Sequence, residues 1–480
     1  MELFIIFAAF IVATIISSLV KQRGVVEFFS VAASAIGLFG ALRVALQVAA
    51  TGSYTPVALL HVDALGAIVL LVIFCVGFVA AIYSIAYLRM ETSKNIIGVT
   101  RVRQYFILFN LFSLAMLLAV TANNPIFAWI AIEATTLSTA FLISFYDKPS
   151  AIEAAWKYLI INSIGLLLGF FGTLMYFTSV IVSDGGAFMS WQALAASAAG
   201  LDSLIAKIAF IFVLIGYGTK VGFVPMHTWK PDAYSKAPNP IGALLSGALL
   251  PIAFITLLKF KSITDAVVGP QFSQQLLIVF GTLSIVVAAL IMLNAKNYKR
   301  LLAYSSIENA GLMALGFGFG GMGAVAAILH LIYHSLVKGV MFFSSGNLLL
   351  KYHSAKIGKI KGALSVLPTT SVLFIAGFLV VTGVPPFGMF VTKLQILSAG
   401  IQAHPAVSII ALAFMALIFI SFLKHSTAMF FGEPPKDVVH GEGGIWLLIP
   451  PVLLLAVIIM LSFYIPPFLA SLLHDAAALY

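Results

Sequence analysis

IGYGTKVGFVPMHTWKPDAYSKAP, residues 215–238, places Lys220 deep inside an apolar span that begins near Leu204 and follows it at once with Gly222 and Pro225. Glycine and proline so close together should break the helix there. A break frees backbone carbonyls and leaves a cation near mid-membrane, which survives only where it lines a cavity or is buried in protein. An unpaired charge at that depth costs roughly 3 kcal/mol on insertion scales, so a carboxylate partner is expected. Glu133, the one charge in the apolar span PIFAWIAIEATTLSTAFLISF, is the candidate. The alternative is a lysine that snorkels to the headgroups along its aliphatic stem.

Around this stretch 62% of the 480 residues are hydrophobic and 9% are charged, which excludes a soluble globular protein and predicts an all-α polytopic membrane protein. The formal net charge of +10 then speaks of topology and not of nucleic acid. About fourteen spans are expected, near 2–20, 25–49, 62–88, 104–121, 125–145, 157–179, 204–223, 239–260, 272–293, 300–319, 324–349, 368–399, 406–430 and 445–469. Seventeen basic residues fall in the odd-numbered loops, among them Arg101, Arg103, Lys230, Lys299 and Lys359, whereas the even loops hold essentially only Lys261. The odd loops should therefore face the cytoplasm and both termini the other side of the cell inner (cytoplasmic) membrane. MELFIIFAAF has no basic residue before its apolar run, so it reads as a first retained helix and not as a signal peptide. Cys75 is the only cysteine and lies in the third span. One cysteine cannot supply an iron–sulfur or nickel–iron centre, so no cofactor or metal is expected and any redox chemistry belongs to other subunits.

The first three spans carry almost no ionisable groups and read as a structural brace. In the fifth, Pro125 suits a first helical turn and leads to Glu133. Glu153 and Lys157, spaced i, i+4 at the next helix start, read either as a solvated surface pair or as a site of proton uptake. Gly165, Gly169 and Gly172 form a small-residue stripe suited to a close helix contact. The stretch 180–203 has no basic residue and reads as an outer loop or short surface helix. His227 could relay protons or cap its loop. Lys259 and Glu308 are accessory candidates. GFGFGGMG, residues 316–323, matches a dinucleotide-binding pattern but joins two membrane helices, so a turn is expected.

His330, His334 and Lys338 are spaced by four and so share one helical face over about 12 Å, which favours a water-lined path, core histidines satisfied by neighbours being the alternative. SVLFIAGFLVVTGVPPFGMFVTKLQIL, residues 371–397, is interrupted by Gly383, Pro385 and Pro386 and then carries Lys393. It repeats the design of the first break. Two discontinuous helices five spans apart suggest two inverted five-helix repeats, 104–261 and 262–431, between an N-terminal unit 1–103 and a last helix in 432–480.

These residues resemble the antiporter-like proton-translocating subunits shared by respiratory complex I, Mrp-type sodium/proton antiporters and membrane-bound hydrogenases. Glu133 in its span, GTKVGFVPMHTWKPDAYSKAP, KRLLAYSSIENAG, HLIYHSLVKGVMFFSSG and GVPPFGMFVTK fall in family order between about residues 60 and 430. WIAIEATTLSTAFLISFYDKPSAIEAAWKYLIINSIG is most similar to the component F type of hydrogenase-4 and formate hydrogenlyase-like complexes. The resemblance implies that Glu133 and Lys220 form the charge pair of the first half, that His330, His334 and Lys338 lie on a central hydrophilic axis, and that Lys393 is the terminal lysine. The sequence departs from the family in the eighth span, where LLSGALLPIAF offers Ser246 and Pro251 in place of a lysine or histidine. A counterpart of the long lateral helix of one complex I subunit is not expected in these 480 residues.

The function expected is that of a non-redox subunit that translocates protons for a hydrogenase-type or complex I-like oxidoreductase, with no catalytic centre of its own. Its partners would be other membrane subunits and a peripheral iron–sulfur, hydrogenase-like or quinone-reducing arm, and its cargo protons or sodium. The alternatives are a subunit of an Mrp-type sodium/proton antiporter or of a complex I quinone oxidoreductase, a stand-alone sodium/proton exchanger, and a membrane scaffold with vestigial charges.

Overall fold

The computed structural model describes residues 1–179, 189–478 and 480. Apolar runs this long leave the backbone no partner but itself, and the outcome is a helical bundle. Eleven of the described helices are long and apolar enough to cross a membrane, and a bent pair, Ile449–Phe463 with Pro467–Ala477, meets the same test as one span folded by 75°. Tyr298–Phe319 adds 22 residues of helix, and two shorter apolar helices, Pro368–Thr382 and Gly388–Ile401, flank the second break. A hairpin of Tyr54–Val57 and Leu60–Val62, which the hydropathy pattern did not announce, closes one end between the second and third spans. Of the expected outer loop, residues 180–188 lie outside the described residues, and Trp191–Ala196 is a short helix capped by Ser190.

Two long helices make the core. Asn239–Val268 is buried along its whole most apolar window and Met322–Tyr352 along 89% of it, whereas Pro405–Phe430 is buried along only 28%. Outer helices instead present Phe28, Phe141, Ile164 and Leu412, as a lipid-facing surface should.

Both breaks close in the same way. The helix Ser203–Val221 ends at Gly222 (φ +88°), where Phe223 N–H donates to the Gly218 carbonyl at 2.9 Å. Pro368–Thr382 ends at Gly383 (φ +79°), where Val384 N–H donates to the Leu379 carbonyl at 2.9 Å. This six-to-one bond with a left-handed glycine satisfies carbonyls that a severed helix would leave bare. Trp229 Nε1 caps the Thr219 carbonyl at 2.9 Å and Lys230 Nζ the Val221 carbonyl at 2.6 Å.

The glycine stripe of Pro149–Tyr176 sets the height of the first break. A Cβ on Gly165 would lie 2.7 Å from Thr219, and one on Gly172 would lie 2.7 Å from the Ala209 carbonyl. Such close approach brings Lys220 against the Pro149–Tyr176 helix. In the core helix, residues Leu245–Leu249 widen into a π turn just before Pro251. The cause is the proline, which has no N–H to donate and whose ring collides with the carbonyl four residues back. In the second half GFGFGGMG does hold a turn, at Gly320 and Gly321, while Gly316 and Gly318 belong to the preceding helix.

The last span, expected as one helix near 445–469, is broken after Phe463, and its second part, Pro467–Ala477, folds back by 75°. Leu472 and Ala476 are buried, and the Tyr480 ring stands 5.4 Å from that of Phe317.

Candidate functional site

Lys220 is buried in the last turn of its helix, where the negative end of the helix dipole favours a cation. Its Nζ donates to Thr136 Oγ1 at 2.8 Å and to Tyr158 OH at 2.9 Å, and stands 4.9 Å over the Tyr158 ring. Glu133 does not touch it. The half-buried carboxylate accepts from Ser163 Oγ at 2.6 Å and from Thr136 Oγ1 at 3.1 Å. The expected direct pair is therefore a bridge, with the Thr136 hydroxyl accepting from the ammonium and donating to the carboxylate. Sequence reading missed Thr136, Tyr158 and Ser163. Thr136 was legible as a hydroxyl three residues on from Glu133 and hence on the same helical face.

In the second half the acid and base meet. Lys393 Nζ lies 2.9 Å from Glu308 Oε1, and both side chains are buried. Buried pairs need their remaining atoms satisfied, and Asn309 contacts the other Glu308 oxygen. Asn309 Oδ1 also faces His330 Nε2 at 2.9 Å, while His330 Nδ1 faces Thr392 Oγ1 at 2.8 Å. Glu308 thus belongs with Lys393, a closer role than the accessory place its sequence position suggested. Lys393 also lines a cavity of 450 Å³ with Thr382 and Gly383, open to the outer flank of the bundle.

Lys338, His334 and His330 share one buried face of the core helix. Lys338 Nζ donates to the Leu302 carbonyl at 3.0 Å and contacts Ser305. Neither ring nitrogen of His334 has a partner among the described residues. Next to Ser305 in sequence, Ser306 Oγ lies 2.7 Å from Ser246 Oγ, and Tyr234 OH donates to the Leu245 carbonyl of the π turn at 2.8 Å.

Other candidates lie off this line. Glu153 and Lys157 form an exposed pair at 2.5 Å, extended through Asp232 to Arg300 at 3.5 and 3.0 Å. Lys259 pairs with Asp63 at 3.2 Å, near the hairpin. His227 is buried in the first break with its ring 6.1 Å from that of Tyr304, and its Nδ1 has no partner among the described residues.

Three basic residues counted in the loops are not surface charges. Lys230, Lys299 and Lys261 are all buried. Lys299 Nζ donates to the Ala237 carbonyl at 2.6 Å, and Lys261 pairs with Asp265 at 2.5 Å. The brace of the first three spans also holds an acid that the sequence reading passed over. Glu91, buried at the end of Ala64–Ser93, accepts from Tyr146 OH at 2.7 Å and lines a cavity of 360 Å³ with Lys148, Lys236, Lys299 and His353.

Fold and site together define a polytopic helical membrane protein in which two interrupted helices each hold a buried lysine within reach of an acid. The chain belongs to the family described as NADH:quinone oxidoreductase/Mrp antiporter, transmembrane, whose model matches residues 122–421. A second model, for the N-terminus of chain 5 of complex I NADH-ubiquinone oxidoreductase, matches residues 49–95. The chain is thus an antiporter-like membrane subunit of the kind found in hydrogenase, complex I and Mrp-type complexes, and other membrane subunits fit as its partners. Proton translocation fits the family.

Among its relatives is a hydrogenase-4 component F homolog of Methylacidiphilum infernorum, 35% identical over 78% of this chain and 80% of that one. NADH-quinone oxidoreductase subunit L of Mycobacterium tuberculosis is 31% identical over 72% of this chain, which spans only 52% of the longer relative. The fold matches a chain of the archaeal membrane-bound sulfane sulfur reductase with a TM-score of 0.88 at 23% identity, covering 99% of this chain and 97% of that one. It also matches a chain of the Mrp complex of Dietzia sp. at 0.87 and 20% identity, covering 99% and 96%.

Proposed function

We propose that this chain is the proton-translocating, redox-inactive membrane subunit of a hydrogenase-type complex, of the hydrogenase-4 or formate hydrogenlyase-like kind. The observation that carries the reading is the acid–hydroxyl–base bridge Glu133–Thr136–Lys220, matched in the other half by Glu308 and Lys393. A buried ammonium is held by the nearby carboxylate against the loss of its hydration. If redox chemistry in a partner withdraws that carboxylate's charge, the proton has reason to leave. His330, His334 and Lys338 line one buried face of the core helix, and the His334 ring, without a partner among the described residues, suits an exchange site on a hydrated line. The hydrogenase assignment rests on the 35% identical relative, most of whose length the chain covers.

In this reading the units 104–261 and 262–431 are inverted repeats, the chain lies in the cytoplasmic membrane with both termini outside, and a peripheral iron–sulfur arm supplies the driving reaction. The test is proton translocation by the assembled complex in sealed vesicles. Glu133→Gln, Lys220→Ala and Lys393→Ala should each lower it about tenfold or more with assembly intact. Lys220→Arg should not restore it, because a guanidinium does not release its proton in the accessible range. Full pumping by Glu133→Gln or Lys220→Ala would sink the proposal. Proton movement driven by a sodium gradient without an electron donor would point to an Mrp-type subunit instead.

A further inference from the structure

Lys230 is fully buried at the start of the helix Trp229–Lys236. Its Nζ holds the Val221 carbonyl and stands 5.7 Å over the Tyr234 ring, and no carboxylate pairs with it among the described residues. Capping one orphan carbonyl does not need a charge: one residue earlier, the neutral indole of Trp229 does the same for Thr219. A lysine here carries a charge that the capping task leaves unused.

The way its stem is held is the second observation. A Cβ on Gly222 would meet Lys230 Cδ at 2.8 Å, and a Cβ on Gly383 would meet Lys393 Cδ at 2.8 Å. Each break thus has a left-handed glycine with a lysine stem laid across it. Lys230 is in this respect the first-half counterpart of Lys393. Lys393 reaches an acid, whereas Lys230 sits on a helix whose Tyr234 packs against Phe342, one turn on from Lys338 in the core helix, at 5.8 Å between ring centres. Hydroxyls lead on from Tyr234. Tyr234 bonds the Leu245 carbonyl, the next residue Ser246 bonds Ser306, and Ser305 contacts Lys338.

We infer that Lys230 is a proton-relay site between the halves, taking a proton from the Lys220 side and passing it towards Lys338 through the hydroxyls of Tyr234, Ser246, Ser306 and Ser305. The inference rests on the proton-translocation reading above. In each transfer the Lys230 ammonium gives one proton to the hydroxyl line as the line gives one to a neutral Lys338 amine. Lys230 is left as an amine to be reprotonated from Lys220, so one positive charge advances and none is created. The eighth span has neither lysine nor histidine before Lys259, and Lys230 supplies the missing base from the neighbouring break.

The test compares Lys230→Met, Lys230→Arg and Lys230→His in the assembled complex in vesicles. Met and Arg should both cut protons moved per electron about tenfold or more, Arg because it keeps charge and donor but does not release a proton. His should restore translocation with an optimum moved to lower pH, since imidazole titrates near about 6.5. Native translocation by the Arg or the Met variant overturns the relay, since a cap or a packed stem would survive one of these changes. Should the Lys230 variants fail to assemble, Tyr234→Phe and Ser246→Ala leave Lys230 in place, and native pumping by both overturns the hydroxyl route. Lys393→Ala separates the two levels. Loss there beside native Lys230 variants sinks this inference alone, whereas native pumping by Lys393→Ala sinks the reading beneath it.

Discussion

Thr136 holds the two charges of the first half one hydroxyl apart. A direct ion pair in a dry interior is difficult to separate, whereas a hydroxyl that accepts from one partner and donates to the other can pass a proton while both side chains stay in place. Thr136→Val keeps the shape and removes the oxygen, leaving Lys220 with Tyr158 and Glu133 with Ser163. Translocation in vesicles should fall about tenfold, and the protein should lose about 1–3 kcal/mol for the bonds broken. A Thr136→Val complex that pumps at the native rate would show that the bridge is not used. The same logic separates Glu308 from Glu153. The first is buried and holds Lys393, whereas the second is exposed and screened, so Glu153→Gln should change translocation by less than about twofold. A large loss there would place uptake at the Glu153–Lys157 pair after all.

The two interrupted helices are elements built around a backbone conformation and a side-chain stem at once. Alanine at Gly222 or Gly383 must adopt a positive φ, at about 1–2 kcal/mol, and its Cβ must also displace a lysine stem. Both variants should lower the melting temperature of the purified protein and impair translocation, because the displaced lysine is part of the line. Gly77 is the control. It sits inside the helix Ala64–Ser93 with nothing within 4 Å of an added Cβ, so Gly77→Ala should be neutral or stabilise by roughly 0.5–1 kcal/mol. Equal melting temperatures for Gly222→Ala and Gly77→Ala would contradict the geometry of the break.

At the scale of the whole molecule the basic residues still mark one face. Removing the buried Lys230 and Lys299 from the seventeen counted in odd loops leaves fifteen, and Lys261, the even-loop exception, is itself buried. The asymmetry therefore sharpens, and by the positive-inside rule it predicts both termini outside. In a Cys75→Ala background, a cysteine at exposed His474 should react with an impermeant reagent from outside the cell, and one at exposed Lys359 only from the cytoplasmic side. The reverse pattern would invert the molecule and with it the side on which the cavity of Glu91 and Lys299 opens.

Sequence alone determined the helical class, the two breaks, and the apolar setting of Lys220, His330, His334, Lys338 and Lys393. Hydropathy, glycine–proline punctuation and a spacing of four are local signals that need no knowledge of neighbours. The sequence also pointed to Gly165, Gly169 and Gly172 as a close contact, since small residues at that spacing have few other uses in a membrane helix. Only the tertiary structure decided who meets whom. That Glu133 reaches Lys220 through Thr136, that Glu308 belongs to Lys393, and that Lys230 and Lys299 are buried, all depend on the rotation and height of packed helices. Neither is written in one helix's own period. Lys230 is the clearest case: beside a proline in a polar stretch it reads as a loop cation, and only the fold of the severed helix back over Gly222 encloses it.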